Sequence, residues 1–181
     1  TSATMLRGNA LKGMFMRLTQ QQRSYAGIGK DNFIQMAERG APFINSVMPC
    51  KVTHIDNEKG ELDMVLPYRK SYTGNVLIPC LHGGVVAAFL DHVGGFAAWT
   101  SLSDPTKLLA TVDLRVDYLK PSPCEDIICE ARVVASGQKL IRADMTVWNK
   151  ARTEKLALGR ACYNVYKLPA GKSLADFMPK D

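Results

Sequence analysis

Leu81-His82-Gly83-Gly84-Val85-Val86-Ala87-Ala88-Phe89-Leu90-Asp91-His92 is the stretch on which the reading of this chain turns. Residues 85–102 are apolar or small on nearly every side, with Asp91 and His92 as the exceptions. A helix of that composition is enclosed by other structure, since a surface helix carries polar residues along one face. Taking an ionised carboxylate out of water without partners is costly, so Asp91 is either paired or opens onto a pocket where its charge is used. Gly83 and Gly84 stand where the helix begins. Their backbone admits close approach, and the amides of a helix N-terminus are free donors for an anion or a polarised carbonyl.

Working outward, the period changes on both sides of the helix. Residues 48–56 and 60–67 read as two strands joined through Asn57-Glu58-Lys59-Gly60, a turn composition. Beyond the helix, Thr111, Asp113, Arg115 and Asp117 alternate with Val112, Leu114, Val116 and Tyr118, which predicts a strand with the second set on its buried face. Pro121 and Pro123 end it. Residues 127–135, 139–149 and 153–166 read as three more strands, separated by Ser136-Gly137-Gln138 and Lys150-Ala151-Arg152. The last places Ala157, Gly159 and Ala161 on one face with Tyr163 and Val165, small enough for a helix to lie close. Two strands, one long helix and four strands form an α+β order in which an antiparallel sheet can wrap a single helix.

A chain of 181 residues has the size of one domain and can bury a core without disulfides or metal. Five cysteines, at 50, 80, 124, 129 and 162, form an odd set with no C-x-x-C pair. A disulfide framework or zinc site is therefore not expected, and a reducing, cytoplasmic setting fits best. The histidines at 54, 82 and 92 have no ligand spacing, so no metal is expected. Residues 83–102 are long enough to span a membrane, but Asp91 and His92 near the centre argue for a core helix. The net charge of +6 is concentrated at the start, where residues 1–40 carry six basic against two acidic side chains. Met5, Leu6, Leu11, Met14, Phe15 and Leu18 fall near helical spacing and predict an amphipathic helix over residues 5–18. The stretch before Asp31 lacks acids, a composition that organellar transit segments share, but a docked helical extension is the plainer expectation. A second short helix is expected near residues 31–39.

His82-Gly83-Gly84, then six residues, then Asp91 at the start of a buried helix resembles the signature of hotdog-fold acyl-CoA thioesterases of the phenylacetate-degradation (PaaI-like) group. Thr111-Val112-Asp113-Leu114-Arg115-Val116-Asp117-Tyr118-Leu119-Lys120-Pro121 resembles the strand that follows the central helix there. The resemblance spans roughly residues 46–167. It implies an α+β hotdog fold, an antiparallel sheet wrapped around one long central helix. The division expected is an N-terminal helical extension (1–45), the hotdog domain (46–168) and a C-terminal tail (169–181).

The resemblance also implies a role for each site residue. Asp91 supplies the attack on a thioester, as general base or as nucleophile, helped by Thr111. The Gly83 amide, with His82 and Asn75 nearby, polarises the carbonyl. Gly84, Gly137, Lys139 and Arg142 are candidates for contact with CoA, the last three at a hairpin where positive charge lies beside a glycine amide. Asp91 lies nine residues beyond His82, so the two need not meet within one chain. In the family the carboxylate of one subunit faces the His-Gly-Gly turn of the other, and sheets join along the strand matching residues 111–119. A homodimer or a dimer of dimers is implied, with CoA entering only as part of the substrate, no other cofactor and no nucleic acid. His92 projects about 100° around the helix from Asp91 and reads as a satisfied core or interface histidine.

Other signals fail on inspection. Gly171-Lys172-Ser173 would end a phosphate-binding loop only with glycine at position 166, which is tyrosine. Gly27-Ile28-Gly29 is followed by Asn32 where a dinucleotide fingerprint needs its third glycine. No G-x-S-x-G elbow is present. The alternative from another class is a non-catalytic acyl-CoA sensor or regulator using the basic N-terminal helices for DNA or partner contact. Gly8, Gly13, Gly27 and Gly29 interrupt any helix-turn-helix pattern there, and a pure sensor does not need Asp91.

Overall fold

Two short helices lead into the sheet of the computed structural model, which describes residues 28–75, 77–172 and 176. The helix expected over residues 5–18 lies outside these. Helix α1 (Lys30–Arg39) buries Phe33, Met36 and Ala37, spaced three and one apart as a single stripe, and ends where the Gly40 amide donates to the Met36 carbonyl. Helix α2 (Pro42–Ser46) opens on a proline, which suits a first helical position because the N–H donor it lacks would have no acceptor within the helix there.

Strands β1 (Lys51–Asp56) and β2 (Glu61–Leu66) form the expected hairpin. Asp56 Oδ1 accepts from the amides of Glu58 and Lys59, and Gly60 takes a φ of 66°. After a 3₁₀ turn (Lys70–Tyr72), a small hairpin of β3 (Thr73–Asn75) and β4 (Cys80–Leu81) leads into helix α3 (Gly83–Thr100). That hairpin was not evident in the sequence: its two strands are too short to show a period. Then come β5 (Lys107–Tyr118), β6 (Ile127–Ser136), β7 (Leu140–Asn149) and β8 (Lys155–Lys167). The main sheet is antiparallel, in the order β1-β2-β6-β7-β8-β5, so β5 forms one edge.

Helix α3 lies on the face presented by alternate residues, among them Leu62, Met64, Cys129, Ala143, Met145 and Ala161. The small residues of β8 permit the expected close approach. A Cβ added to Gly159 would stand 3.0 Å from Leu90, and one added to Gly94 of the helix would stand 2.5 Å from the Tyr163 hydroxyl oxygen. No described helix is long and apolar enough to cross a membrane.

The strict alternation expected along residues 111–118 is broken. A β-bulge between Thr111 and Asp113 inserts one extra residue opposite β8. Thr111 thereby pairs with Tyr163 on the helix side of the sheet, while Val112, expected inside, is 62% exposed. A bulge re-aims the side chains on one side of it, and here it turns a polar side chain toward α3.

Helix α1 is fastened to α3 rather than to the sheet alone. The Phe33 ring meets Phe96 and Trp99 edge-on, at centroid distances of 5.6 and 6.2 Å. His92 Nε2 lies 2.7 Å from the Ala37 carbonyl oxygen and donates to it. Burial holds the imidazole below its ordinary value of 6.5, outweighing the Ala37 carbonyl and the neighbouring Asp91 carboxylate. The unfolded chain therefore takes up this proton first as pH falls, and stability is lost from about pH 6.5 downward to the folded-state value. The thermal midpoint of the native chain is expected to fall further between about pH 7.5 and 5 than that of His92→Gln, which lacks this titration. Equal falls would remove His92 from the account.

Candidate active site

His82 caps α3. Its Nδ1 accepts the Gly84 amide at 2.9 Å, which leaves the proton of the neutral ring on Nε2. Its carbonyl accepts from Val85 at 2.9 Å and Val86 at 3.4 Å. Of the four amides that open the helix, Gly83 alone has no acceptor among the described residues. The Tyr118 hydroxyl donates to the Gly83 carbonyl at 2.8 Å, and the tyrosine ring would stand 3.3 Å from a Cβ at that position. The turn is thus held from the β5 side while one donor stays open.

The β3–β4 hairpin braces the other side. A Cβ on Gly74 would lie 2.4 Å from His82 Cα, and the His82 amide donates to the Tyr72 carbonyl at 2.8 Å. Sequence reasoning passed over Gly74, Tyr72 and Tyr118; a lone glycine in an unrecognised strand carries no signal. Gly74→Ala is expected to destabilise the chain by about 1–3 kcal/mol through overpacking against backbone. A lowered denaturant midpoint would check this, and an unchanged one would mean that the hairpin moves freely from His82. Asn75 sits opposite Cys80, so the hairpin returns it to within two residues of His82 in register. Its Oδ1 is used by its own turn, accepting from the amides of Leu77 at 2.9 Å and Ile78 at 3.2 Å, which leaves the side-chain NH₂ as donor.

Asp91 is half-buried, two turns further along α3. Its Oδ1 accepts the Thr111 hydroxyl at 2.8 Å, and it forms no ion pair among the described residues. The Tyr163 hydroxyl donates to the Asp91 carbonyl at 3.3 Å, and burial pushes that phenol up so that it remains a donor. The structure therefore joins Asp91 to Thr111, and His82 to Gly83 and Gly84, as two groups. They stand eight residues apart on the helix, about 12 Å along its axis.

Gly137, Lys139 and Arg142 are exposed and belong to neither group. The Ser136 hydroxyl is 3.3 Å from that of Ser101, which places their hairpin at the far end of α3 from His82. Burial pushes the Cys50 thiol up to about 12 and the Cys129 thiol well above its ordinary value, so neither is poised as a nucleophile. No three His, Cys, Asp or Glu side chains are grouped for a metal among the described residues.

Two clefts flank the start of α3. One, of about 360 Å³, runs past Gly83, Val86, Tyr118 and Lys120; the other, of about 290 Å³, runs past His82, Gly84, Val85 and Ala88. A larger hollow of about 750 Å³ lies over paired charges such as Arg132 and Glu61, and shares no residue with either group.

A six-stranded antiparallel sheet wrapped on one long helix, with its polar groups at the helix start and middle, defines a hotdog-fold protein. The chain belongs to the thioesterase superfamily, whose sequence pattern matches residues 79–155. A protein of Halobacterium salinarum whose name proposes an esterase is 32% identical over 124 residues, 62% of this chain and 78% of its own length. A medium/long-chain acyl-CoA thioesterase of Escherichia coli is 28% identical over 105 residues, 51% of this chain and 68% of its own. Among solved structures, a thioesterase family protein from Silicibacter pomeroyi superposes with a TM-score of 0.64 at 22% identity, covering 75% of this chain and 98% of its own. A phenylacetic acid degradation-related protein from Ralstonia eutropha gives 0.64 at 19% identity, covering 74% and 98%. The reaction class that goes with this membership is thioester hydrolysis.

Proposed function

We propose that the chain hydrolyses acyl-CoA thioesters as a homodimer, with Asp91 of one copy acting on a carbonyl held at the His82–Gly83 turn of the other. The observation that carries this is the hydrogen bond of Thr111 to Asp91, which orients an otherwise unpaired carboxylate in the middle of a helix. Gly83 offers its open amide, at the positive end of the helix dipole, to the oxygen on which charge develops. His82 Nε2–H and the Asn75 NH₂ are the further donors. Asp91 either takes a proton from the attacking water or itself adds to the carbonyl, and CoA leaves as a thiolate that needs little acid assistance. Water, a carboxylate and these donors account for the reaction, so a chelator is expected to leave the rate unchanged.

The bulged edge strand supports the dimer. Among the described residues β5 pairs only with β8, and an open edge of 12 residues invites a second copy. Antiparallel pairing about a twofold axis near Arg115 brings Thr111 of one copy across from Tyr118 of the other, the extra residue of the bulge making up the difference in spacing. Thr111 holds Asp91 and Tyr118 holds Gly83, so the two half-sites meet. Acyl-CoA is the proposed substrate because the Escherichia coli relative is named for it. Gly137, Lys139 and Arg142 are proposed to meet the anionic CoA moiety.

Free-thiol release from aryl, short, medium and long acyl-CoAs tests the reading. Turnover of at least one member supports it, and no release above background from any would overturn it.

A further inference from the structure

The connection between β3 and β4 reads Val76-Leu77-Ile78-Pro79. Leu77 is 89% exposed and Ile78 64%, the highest values for large apolar side chains among the described residues. One such side chain on a surface needs no explanation, but two in succession at a hairpin tip form a patch that calls for a partner. The tip is built rather than slack: Asn75 Oδ1 accepts from both of their amides and so fixes the turn. At the foot of the hairpin, Phe43 and Val47 of the preceding segment wall the 290 Å³ cleft together with Ser71, Tyr72 and His82, and both are about half exposed. Arg69 joins the two parts, donating to the Ser46 carbonyl at 3.2 Å.

Charge around the tip has one sign. Residues 67–90, which contain the whole hairpin, carry Arg69 and Lys70 and no Asp or Glu, and residues 40–50 carry no charge at all. Arg69 and Lys70 are exposed, and neither forms an ion pair among the described residues. The carboxylate that touches this stretch, Asp126 on the Tyr68 amide, is already paired with Lys150 at 3.1 Å.

We infer that this tip docks the protein on an anionic lipid surface, with Leu77 and Ile78 entering the headgroup boundary and Arg69 and Lys70 meeting the lipid phosphates. A projecting apolar tip needs a partner that yields around it, which a bilayer surface does and a close-packed protein surface does not. Unpaired cations beside the tip are drawn to an anionic leaflet over a distance of about a Debye length. Strand β4 ends directly before His82, so docking by the tip sets the start of α3 at the lipid boundary.

Flotation of the full chain with vesicles, in the absence of CoA, tests this. The native chain is expected to float with vesicles of equal parts phosphatidylcholine and phosphatidylserine, and to stay behind with phosphatidylcholine alone or at high salt. Leu77→Ser combined with Ile78→Ser is expected to lower the partition coefficient about tenfold or more, with the thermal midpoint unchanged because both side chains are exposed. Lys70→Gln is expected to lower it about fivefold. No binding of the native chain overturns the inference. Binding that the double variant retains also overturns it, and assigns the lipid affinity to the basic residues 1–27. Equilibrium sedimentation without vesicles covers a second copy as the occupant: if the double variant loses a self-association that the native chain shows, the tip belongs to the contact between copies and the inference falls. Thiol release is not read in these experiments, so the outcome is separate from that of the hydrolase reading.

Discussion

Asp91→Asn is expected to lower kcat on a responsive acyl-CoA by about 10²–10⁴-fold, the range for loss of a positioned acid-base group. The substitution keeps shape and leaves an oxygen for the Thr111 hydroxyl, which donates to Asp91 at 2.8 Å. The fold should therefore change little, with a stability difference within about 1 kcal/mol. A carboxylate with only a structural role predicts the opposite, a lowered unfolding midpoint with kcat per folded molecule retained. Thr111→Val should follow Asp91→Asn at smaller amplitude. It removes one hydrogen bond to a charged group, worth about 1.5–3 kcal/mol, so a fall in kcat of roughly ten- to a hundredfold is expected with the carboxylate still present.

Gly83→Pro removes the open amide at the turn and no hydrogen bond of the helix ladder, although its Cβ would press on the Tyr118 ring, 3.3 Å away, which must give by a few tenths of an ångström. Proline is accepted at the first helical position, and His82, at φ −64° and ψ 131°, already has the extended conformation favoured before proline. Loss of one such donor is expected to reduce kcat by about 10²–10³-fold. The greater value of this variant lies in mixing. If each site takes Asp91 from one copy and the His82–Gly83 turn from the other, a mixed dimer of Asp91→Asn and Gly83→Pro has one doubly altered site and one intact site. Random exchange of equal amounts makes half the dimers mixed, so activity should return to about a quarter of the native value. A mixture no more active than its parents would show that the two groups do not combine across copies.

The enclosed helix was legible because its periodicity is local, and the same stretch carried Asp91 and the two glycines. The strands of the main sheet followed from alternation and from turn composition, and the small face of β8 announced the close packing at Gly159. The bulge did not show. Thr111-Val112-Asp113 reads as ordinary alternation, and whether one residue is skipped depends on the register β5 adopts against β8, where Thr111 pairs with Tyr163 and Asp113 with Cys162, far along the chain. The resemblance pointed to Thr111 as the helper of Asp91, while strict alternation would have turned it away from the helix.

The brace around His82 was hidden for a related reason. Gly74 is needed because His82 Cα lies where its side chain would go, and Tyr118 matters because its hydroxyl reaches Gly83 from a strand 35 residues later. Those pairings exist only once the chain has folded back. By itself the sequence determined that a polar pair of groups lies along one buried helix, since burial, charge and glycine placement are written in consecutive residues. Only the tertiary structure decided how each group is held, which edge of the sheet stays open and which wall the cleft beside His82 has, because each depends on distant segments meeting.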